Sequence, residues 1–168
     1  MSMKSLYLVR HAKSSWDYTN VSDYDRPLKG RGIRDAHLVS QYLSQQLDSP
    51  QALYSSPATR ATHTAMIFAR NLQFSFSSIK LSEELYMCSE DDLLEFIQNL
   101  DDTFDRVMIF GHNPSMTNFV NKCVDQRIDN VPTSGVACFH FDISSWKNAT
   151  FNGRLSLFDY PKKLKSSQ

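Results

Sequence analysis

Arg106-Val107-Met108-Ile109-Phe110-Gly111-His112-Asn113-Pro114 is the stretch from which the fold can be read. Its apolar run is too short for a helix, carries no alternation, and reads as a strand buried on both faces, as in a parallel sheet. Gly111 permits a tight turn that points the His112 imidazole into a cleft, and Asn113-Pro114 supplies a cap residue and a proline for the next helix. Two further stretches repeat the pattern. Ala52 to Ser55 reads as a short strand, with Ser56-Pro57 as cap and first helical residue ahead of a helix running to about Leu72. Leu6 to Val9 reads as a buried first strand that ends on Arg10-His11 and opens into a polar loop through Pro27.

Between and beyond these lie the remaining elements. Ile33, Ala36, Val39, Tyr42, Leu43 and Leu47 recur at helical spacing, and Ile79 to Leu81 reads as an edge strand. Ser89 and Asp92 have the spacing of a capping box ahead of the apolar stripe Leu93, Leu94, Phe96, Ile97 and Leu100. Val136 to Ile143 and Leu155 to Tyr160 close the chain as a pair. Strands alternating with helices predict an α/β fold, a three-layer α/β/α sandwich with a mostly parallel central sheet and an antiparallel C-terminal strand pair. Residues 1–161 read as a single domain, and the polar, lysine-rich residues 162–168 as a solvated tail.

Composition narrows the function classes. At 168 residues and 41% hydrophobic content the chain can bury one sizeable core without disulfide or metal staples. Basic and acidic residues balance at 18 each, so no overall field favours nucleic acid or an anionic membrane as a partner. Cys88, Cys123 and Cys138 are odd in number, far apart and without a C-x-x-C pair, which argues against a disulfide framework or a zinc site. The apolar run at Leu6 is too short for a signal peptide or a membrane span, and a cytoplasmic location is expected.

Arg10-His11, Arg60 and His112 all fall just beyond the carboxyl ends of predicted strands, the edge at which open α/β sheets bind ligands. Two of these places adjoin a helix start, where free N–H groups and the positive dipole end attract anions. Two arginines and two histidines converging there describe a phosphate site. His37, His63 and His140 have no second ligand at metal spacing and read as structural or exposed, although His63, three residues after Arg60, is able to face the same cleft. No metal or other cofactor is expected.

The segments LVRHAKSSW, SSPATRATHTA and IFGHNPSM resemble, in that order, the three signature blocks of the histidine phosphatase superfamily, which includes the phosphoglycerate mutases. The short length, Ala12 in place of the usual glycine, DRPLKGRG at Asp25 to Gly32 and TSGVACF at Thr133 to Phe139 look most like the SixA-type phosphohistidine phosphatases. The resemblance implies that His11 attacks phosphorus as a neutral imidazole and is transiently phosphorylated, while Arg10, Arg60 and His112 hold the phosphoryl oxygens. Flanking arginines should lower the His11 pKa. Arg26 is a further phosphate contact by the same resemblance, or else a loop arginine paired with Asp23 or Asp25. Lys13 stands where mutases of the superfamily carry glutamate, and Asp17 where they often have asparagine. Most phosphomonoesterases of the superfamily use a glutamate to protonate the leaving oxygen, and Glu84, in SEELY, is the better match to that block, with Glu83 beside it.

The expected activity is hydrolysis of phosphohistidine or small phosphomonoesters through phospho-His11, acting on a phosphorylated protein or a small phosphorylated molecule. The alternatives are a phosphatase specific for one small metabolite and a non-catalytic module that binds phosphate or phosphopeptide. A mutase is disfavoured because no long insertion follows Glu84 to enclose an intermediate while it reorients.

Overall fold

In the computed structural model, which describes residues 2–167, the stretch Arg106–Gly111 is strand β4 near the middle of a six-stranded sheet. The strands are β1 (Lys4–Arg10), β2 (Ala52–Ser55), β3 (Ile79–Leu81), β4, β5 (Val136–Phe141) and β6 (Arg154–Asp159), arranged β3-β2-β4-β1-β5-β6. β1, β2, β3 and β4 pair in parallel, and β5 runs antiparallel to both β1 and β6. The fold is thus the α/β class expected, with the antiparallel portion reaching inward to β1.

Five helices cover the sheet: α1 (Gly30–Gln46), α2 (Thr59–Asn71), α3 (Glu90–Gln98), α4 (Ser115–Cys123) and α5 (Pro161–Ser166). The period-2 alternation of the strands divides their side chains between two cores. Tyr7, Val9, Met108 and Phe110 pack with Ala36, Val39 and Phe68 of α1 and α2, whereas Leu6, Leu8, Val107 and Ile109 pack with Leu93, Ile97 and Phe119 of α3 and α4. Each fully buried side chain of this kind contributes about 1.5–3 kcal/mol. The capping box holds: Ser89 accepts from Asp92 N–H, and the Asp92 carboxylate accepts from Ser89 N–H, both at 3.1 Å.

Three local expectations change. Helix α2 begins at Thr59, so Ser56 and Pro57 precede it, and α4 begins at Ser115, after a cis Asn113–Pro114 peptide. The Ser56 hydroxyl bonds His112 and does not cap α2, whereas the Asn113 amide oxygen still serves the start of α4, accepting from the N–H and hydroxyl of Thr117. The stretch from Lys162 onward, expected as a solvated tail, lies in helix α5 as far as Ser166, with Leu164 buried and Lys165 paired to Asp35 of α1 at 2.7 Å; Gln168 falls outside the described residues. One apolar side chain placed at the right helical phase anchors an otherwise lysine-rich segment.

Gly32 shows why α1 starts where it does. A Cβ at this position would lie 2.1 Å from the Lys13 carbonyl oxygen, so only glycine lets the helix pack against the loop that leaves β1. Among the described residues, no helix is long and apolar enough to cross a membrane.

Candidate active site

The ladder itself brings the two histidines together. Arg10 of β1 pairs with Gly111 of β4, and the His11 N–H donates to the Gly111 carbonyl at 3.0 Å. The residues that follow each strand therefore leave the sheet side by side, and the His11 and His112 rings lie 5.2 Å apart. β2 flanks β4 on its other side, and the Ser56 N–H donates to Phe110 O, which sets the Ser56 hydroxyl 2.8 Å from His112 Nε2. From the antiparallel side, Ser134 N–H donates to the carbonyls of Arg10 and His11.

Arg10, His11, Arg26, Arg60 and His112 line one cavity of about 220 Å³, together with Lys13, Ser14, Trp16, Asn113 and Thr133. Glu84 does not reach it. That side chain is exposed on a neighbouring groove with Glu83, Met87, Asp92 and Glu95, because a 3-10 turn at Glu83–Leu85 turns it outward. No carboxylate lines the histidine cavity among the described residues. His63 lies in a separate shallow pocket with Met66 and Leu81, and Asp17 is exposed.

His11 is buried and its Nδ1 lies 2.8 Å from the Ala12 carbonyl. A carbonyl only accepts, so Nδ1 carries the proton and the lone pair is on Nε2. Burial pushes the His11 pKa down to about 3, with His112, Arg60 and Arg10 adding to the fall and the Ala12 bond opposing it. The direction is the one expected from the arginines, but desolvation is its main cause. His112 falls to about 4, again first through burial and then through Arg60. Both rings are neutral at pH 7.

Arg10 and Arg60 are fixed by oxygen atoms outside the cavity lining, and Arg26 by one oxygen within it and one outside. Arg10 donates to Val131 O at 3.0 Å; Arg60 donates to Asp23 O at 2.6 Å and to the Asp23 carboxylate at 3.0 Å. Arg26 donates to the Ser14 hydroxyl and, at 3.2 Å, to Asp23. Both readings of Arg26 are therefore realised at once, since it lines the cavity and is also paired to Asp23. Four buried nitrogens of these residues find no partner: Nε of Arg10, Arg26 and Arg60, and Nδ1 of His112. Buried polar nitrogens are rarely left unpaired, and three arginine N–H donors with one imidazole nitrogen around one cavity fit an anion approached from several directions.

Tyr86 and Thr64 are site residues that the sequence reading does not single out, and Asp23 enters it only as a partner for Arg26. Asp23 starts a 3-10 turn at Asp23–Asp25 and takes a 2.7 Å hydrogen bond from Tyr86, whose ring stands edge-on to His112 at 5.6 Å. The Tyr86 hydroxyl, then Arg60 and Arg26, hold the Asp23 carboxyl down to about 2, so it is ionised and is no proton donor. Thr64 accepts from the Ala12 N–H at 2.9 Å and donates to Arg60 O at 2.7 Å, tying α2 to the strand that carries His11. Its position four residues after Arg60, one helical turn on, is the signal that marks it.

The model of the histidine phosphatase superfamily (branch 1) matches residues 6–89. The chain belongs to that superfamily. An uncharacterized protein of Mycobacterium tuberculosis is 30% identical over 139 residues, covering 77% of this chain and 84% of its own, and an uncharacterized chloroplastic protein of Arabidopsis thaliana is 33% identical over 154 residues, covering 87% and 70%. Among solved structures, the candidate phosphohistidine phosphatase SixA of Agrobacterium tumefaciens superposes with a TM-score of 0.80 at 26% identity, covering 94% of this chain and 98% of that one. The protein histidine phosphatase SixA in complex with tungstate gives the same TM-score at 23% identity, covering 95% and 99%. This histidine phosphatase is thus SixA-like in structure, and its family membership supports a phosphatase activity.

Proposed function

We propose that the chain hydrolyses a phosphoryl group from nitrogen or oxygen through a covalent phospho-His11 intermediate. The observation that carries this reading is the pairing of a protonated Nδ1, anchored on Ala12, with an unprotonated Nε2 in a cavity where four cationic or polar residues keep unpaired N–H or ring nitrogens. Nε2 attacks phosphorus with its lone pair, and the bond from phosphorus to the leaving atom breaks with its electron pair. Water then attacks the phosphoryl group, the P–N bond to His11 breaks, and inorganic phosphate leaves with neutral His11 restored.

Arg10, Arg26 and Arg60 serve the charge that spreads over the equatorial oxygens, and His112 adds a fourth contact through Nδ1. Burial, and after it the guanidinium groups, keep His112 neutral, and a dianion beside the ring favours its protonation and allows it to donate. With no carboxylic acid at the cavity, a leaving nitrogen that takes its proton from solvent suits the site better than an alkoxide. Phosphohistidine on a partner protein is accordingly the favoured substrate, and small phosphomonoesters the second. A cytoplasmic setting belongs to the same proposal and is supported by the three free thiols.

The test is turnover and labelling of His11→Ala. With a chromogenic phosphoester and a phosphoramidate, the variant should lose at least about a thousandfold in turnover and all acid-labile phosphoprotein. Unchanged turnover would reject the reading, and phosphopeptide binding without hydrolysis of any substrate by the unaltered protein would favour a binding module.

A further inference from the structure

We propose that the exposed indole of Trp16 is a stacking platform for a planar ring attached to the phosphoryl group, so that the site selects phosphorylated imidazole or phenol rings over phosphorylated alkyl chains. This rests on the phosphatase reading above and names the substrate class of that site.

Trp16 lies in the loop after β1 and lines the same cavity as His11, Arg26 and Arg60. The Arg26 guanidinium carbon stands over its ring, 3.7 Å from the centre, a cation–π contact. Arg26 is itself 9% exposed and hydrogen-bonded to Ser14 and Asp23, so the indole rests on a buried and tethered partner. Yet Trp16 is 73% exposed, which leaves the face opposite Arg26 open to solvent. A large aromatic left in water forfeits the burial it could gain, and a surface of this kind at a cavity mouth is suited to a ligand that covers it.

The direction of the reaction places the substrate there. In displacement at phosphorus the leaving atom lies in line with the attacking His11 Nε2 and on the far side, so whatever the leaving atom carries passes out through the mouth. Lys13, Asn113 and Thr133 give the rest of the rim a polar character and offer nothing to a ring. The indole is the flat apolar surface available, and stacking on it favours an aromatic ring over a flexible chain, with a protonated imidazole gaining a cation–π contribution as well.

Kinetics on phenyl phosphate, phosphoimidazole and propyl phosphate test the platform with the unaltered chain, Trp16→Ala and Trp16→Phe. The ratio of kcat/KM for either ring substrate to that for propyl phosphate should fall about fivefold to tenfold in Trp16→Ala, mainly through KM, and be largely kept in Trp16→Phe. An equal loss on all three substrates, as expected if the indole only buttresses Arg26, overturns the proposal, and so does an unchanged ratio. Calorimetry with phenylphosphonate and propylphosphonate separates this from the phosphatase reading. If no substrate is turned over but the unaltered chain prefers phenylphosphonate and Trp16→Ala does not, the platform stands and the activity falls. Equal binding of the two phosphonates by the unaltered chain removes the platform whatever the turnover.

Discussion

The site has two halves built in different ways. One half, Arg10, His11, Ser56 and His112, leaves the ends of adjacent strands, and main-chain hydrogen bonds between β1, β4 and β2 set its geometry. The other half, Trp16, Asp23, Arg26 and Tyr86, comes from loops and short 3-10 turns and is joined by side-chain contacts centred on Asp23, whose side chain is half exposed. Moving a residue of the first half means breaking a sheet. In the second half it means breaking one or two partly solvated hydrogen bonds, worth about 1 kcal/mol each. The two imidazoles therefore sit on the rigid side, and the Asp23 cluster with the Trp16–Arg26 contact sits on the adjustable one. Arg60, carried on α2 but tethered to Asp23, links the halves.

Substitutions on the two sides of that link should differ in size and in kind. Arg60→Ala removes a guanidinium that lines the histidine cavity, and under the proposed phosphoryl transfer kcat/KM should fall about 10²- to 10³-fold, the range for loss of one preorganised donor at developing charge. Asp23→Asn keeps the shape, removes the charge and leaves Arg60 and Arg26 less firmly aimed, so turnover should fall about tenfold, the equivalent of about 1.4 kcal/mol. Affinity for inorganic phosphate, measured by competitive inhibition, should hold or rise in the same variant, because the cluster becomes more positive by one charge. Weaker phosphate binding in Asp23→Asn would show that the carboxylate supports binding itself and that the division into halves is wrong.

The same division accounts for what the sequence reveals. Strand-end residues are legible because a buried apolar run and the turn after it announce where a side chain will leave the sheet; Arg10, His11 and His112 needed nothing more. Arg60 was visible as the start of a helix after such a strand. Asp23 was visible only as a neighbour for Arg26 and Tyr86 not at all, since a contact between residues 63 positions apart, made across loops, leaves no periodic trace. Glu84 shows the converse: its place in the order of motifs suggested the cavity, and the 3-10 turn that carries it faces the side chain elsewhere. The Lys162 stretch reads as a tail because lysines dominate its composition, whereas buried Leu164 and the Lys165–Asp35 pair hold it to α1 as a short helix.

Proton binding gives a sharper probe of the rigid half. The folded-state pKa of His11, about 3, and of His112, about 4, lie below the ordinary value of about 6.5 expected in the unfolded chain. Between those values the unfolded chain binds more protons, so this contribution to stability is full above about pH 6.5 and declines as pH falls toward 4 for His112 and toward 3 for His11. Imidazole nitrogen-15 shifts should show His11 neutral, with hydrogen on Nδ1, down to pH 5, and His11→Asn should flatten the acid slope of stability. A ring that titrates near pH 6.5 in the folded protein would mean that the strand-end half is wetter and looser than its hydrogen bonds indicate.

The smallest effect is expected where sequence order pointed to a catalytic acid. Glu84 is exposed, it lines the groove beside the cavity, and its own N–H is what bonds, to Ser82 at 3.3 Å. A general acid must come within hydrogen-bond reach of the leaving atom, and typically supplies 10²- to 10⁴-fold. Glu84→Gln should therefore change kcat/KM less than about threefold on both a phosphoramidate and an alkyl phosphate. The two substrates make the outcome informative. A loss of a hundredfold confined to the alkyl phosphate would mean that the turn at Glu83–Leu85 swings inward when substrate binds, carrying the carboxyl to the leaving oxygen, and the adjustable half would then take part in the chemistry itself. A null effect on both leaves leaving-group protonation to solvent, and the site then favours substrates whose leaving nitrogen is readily protonated.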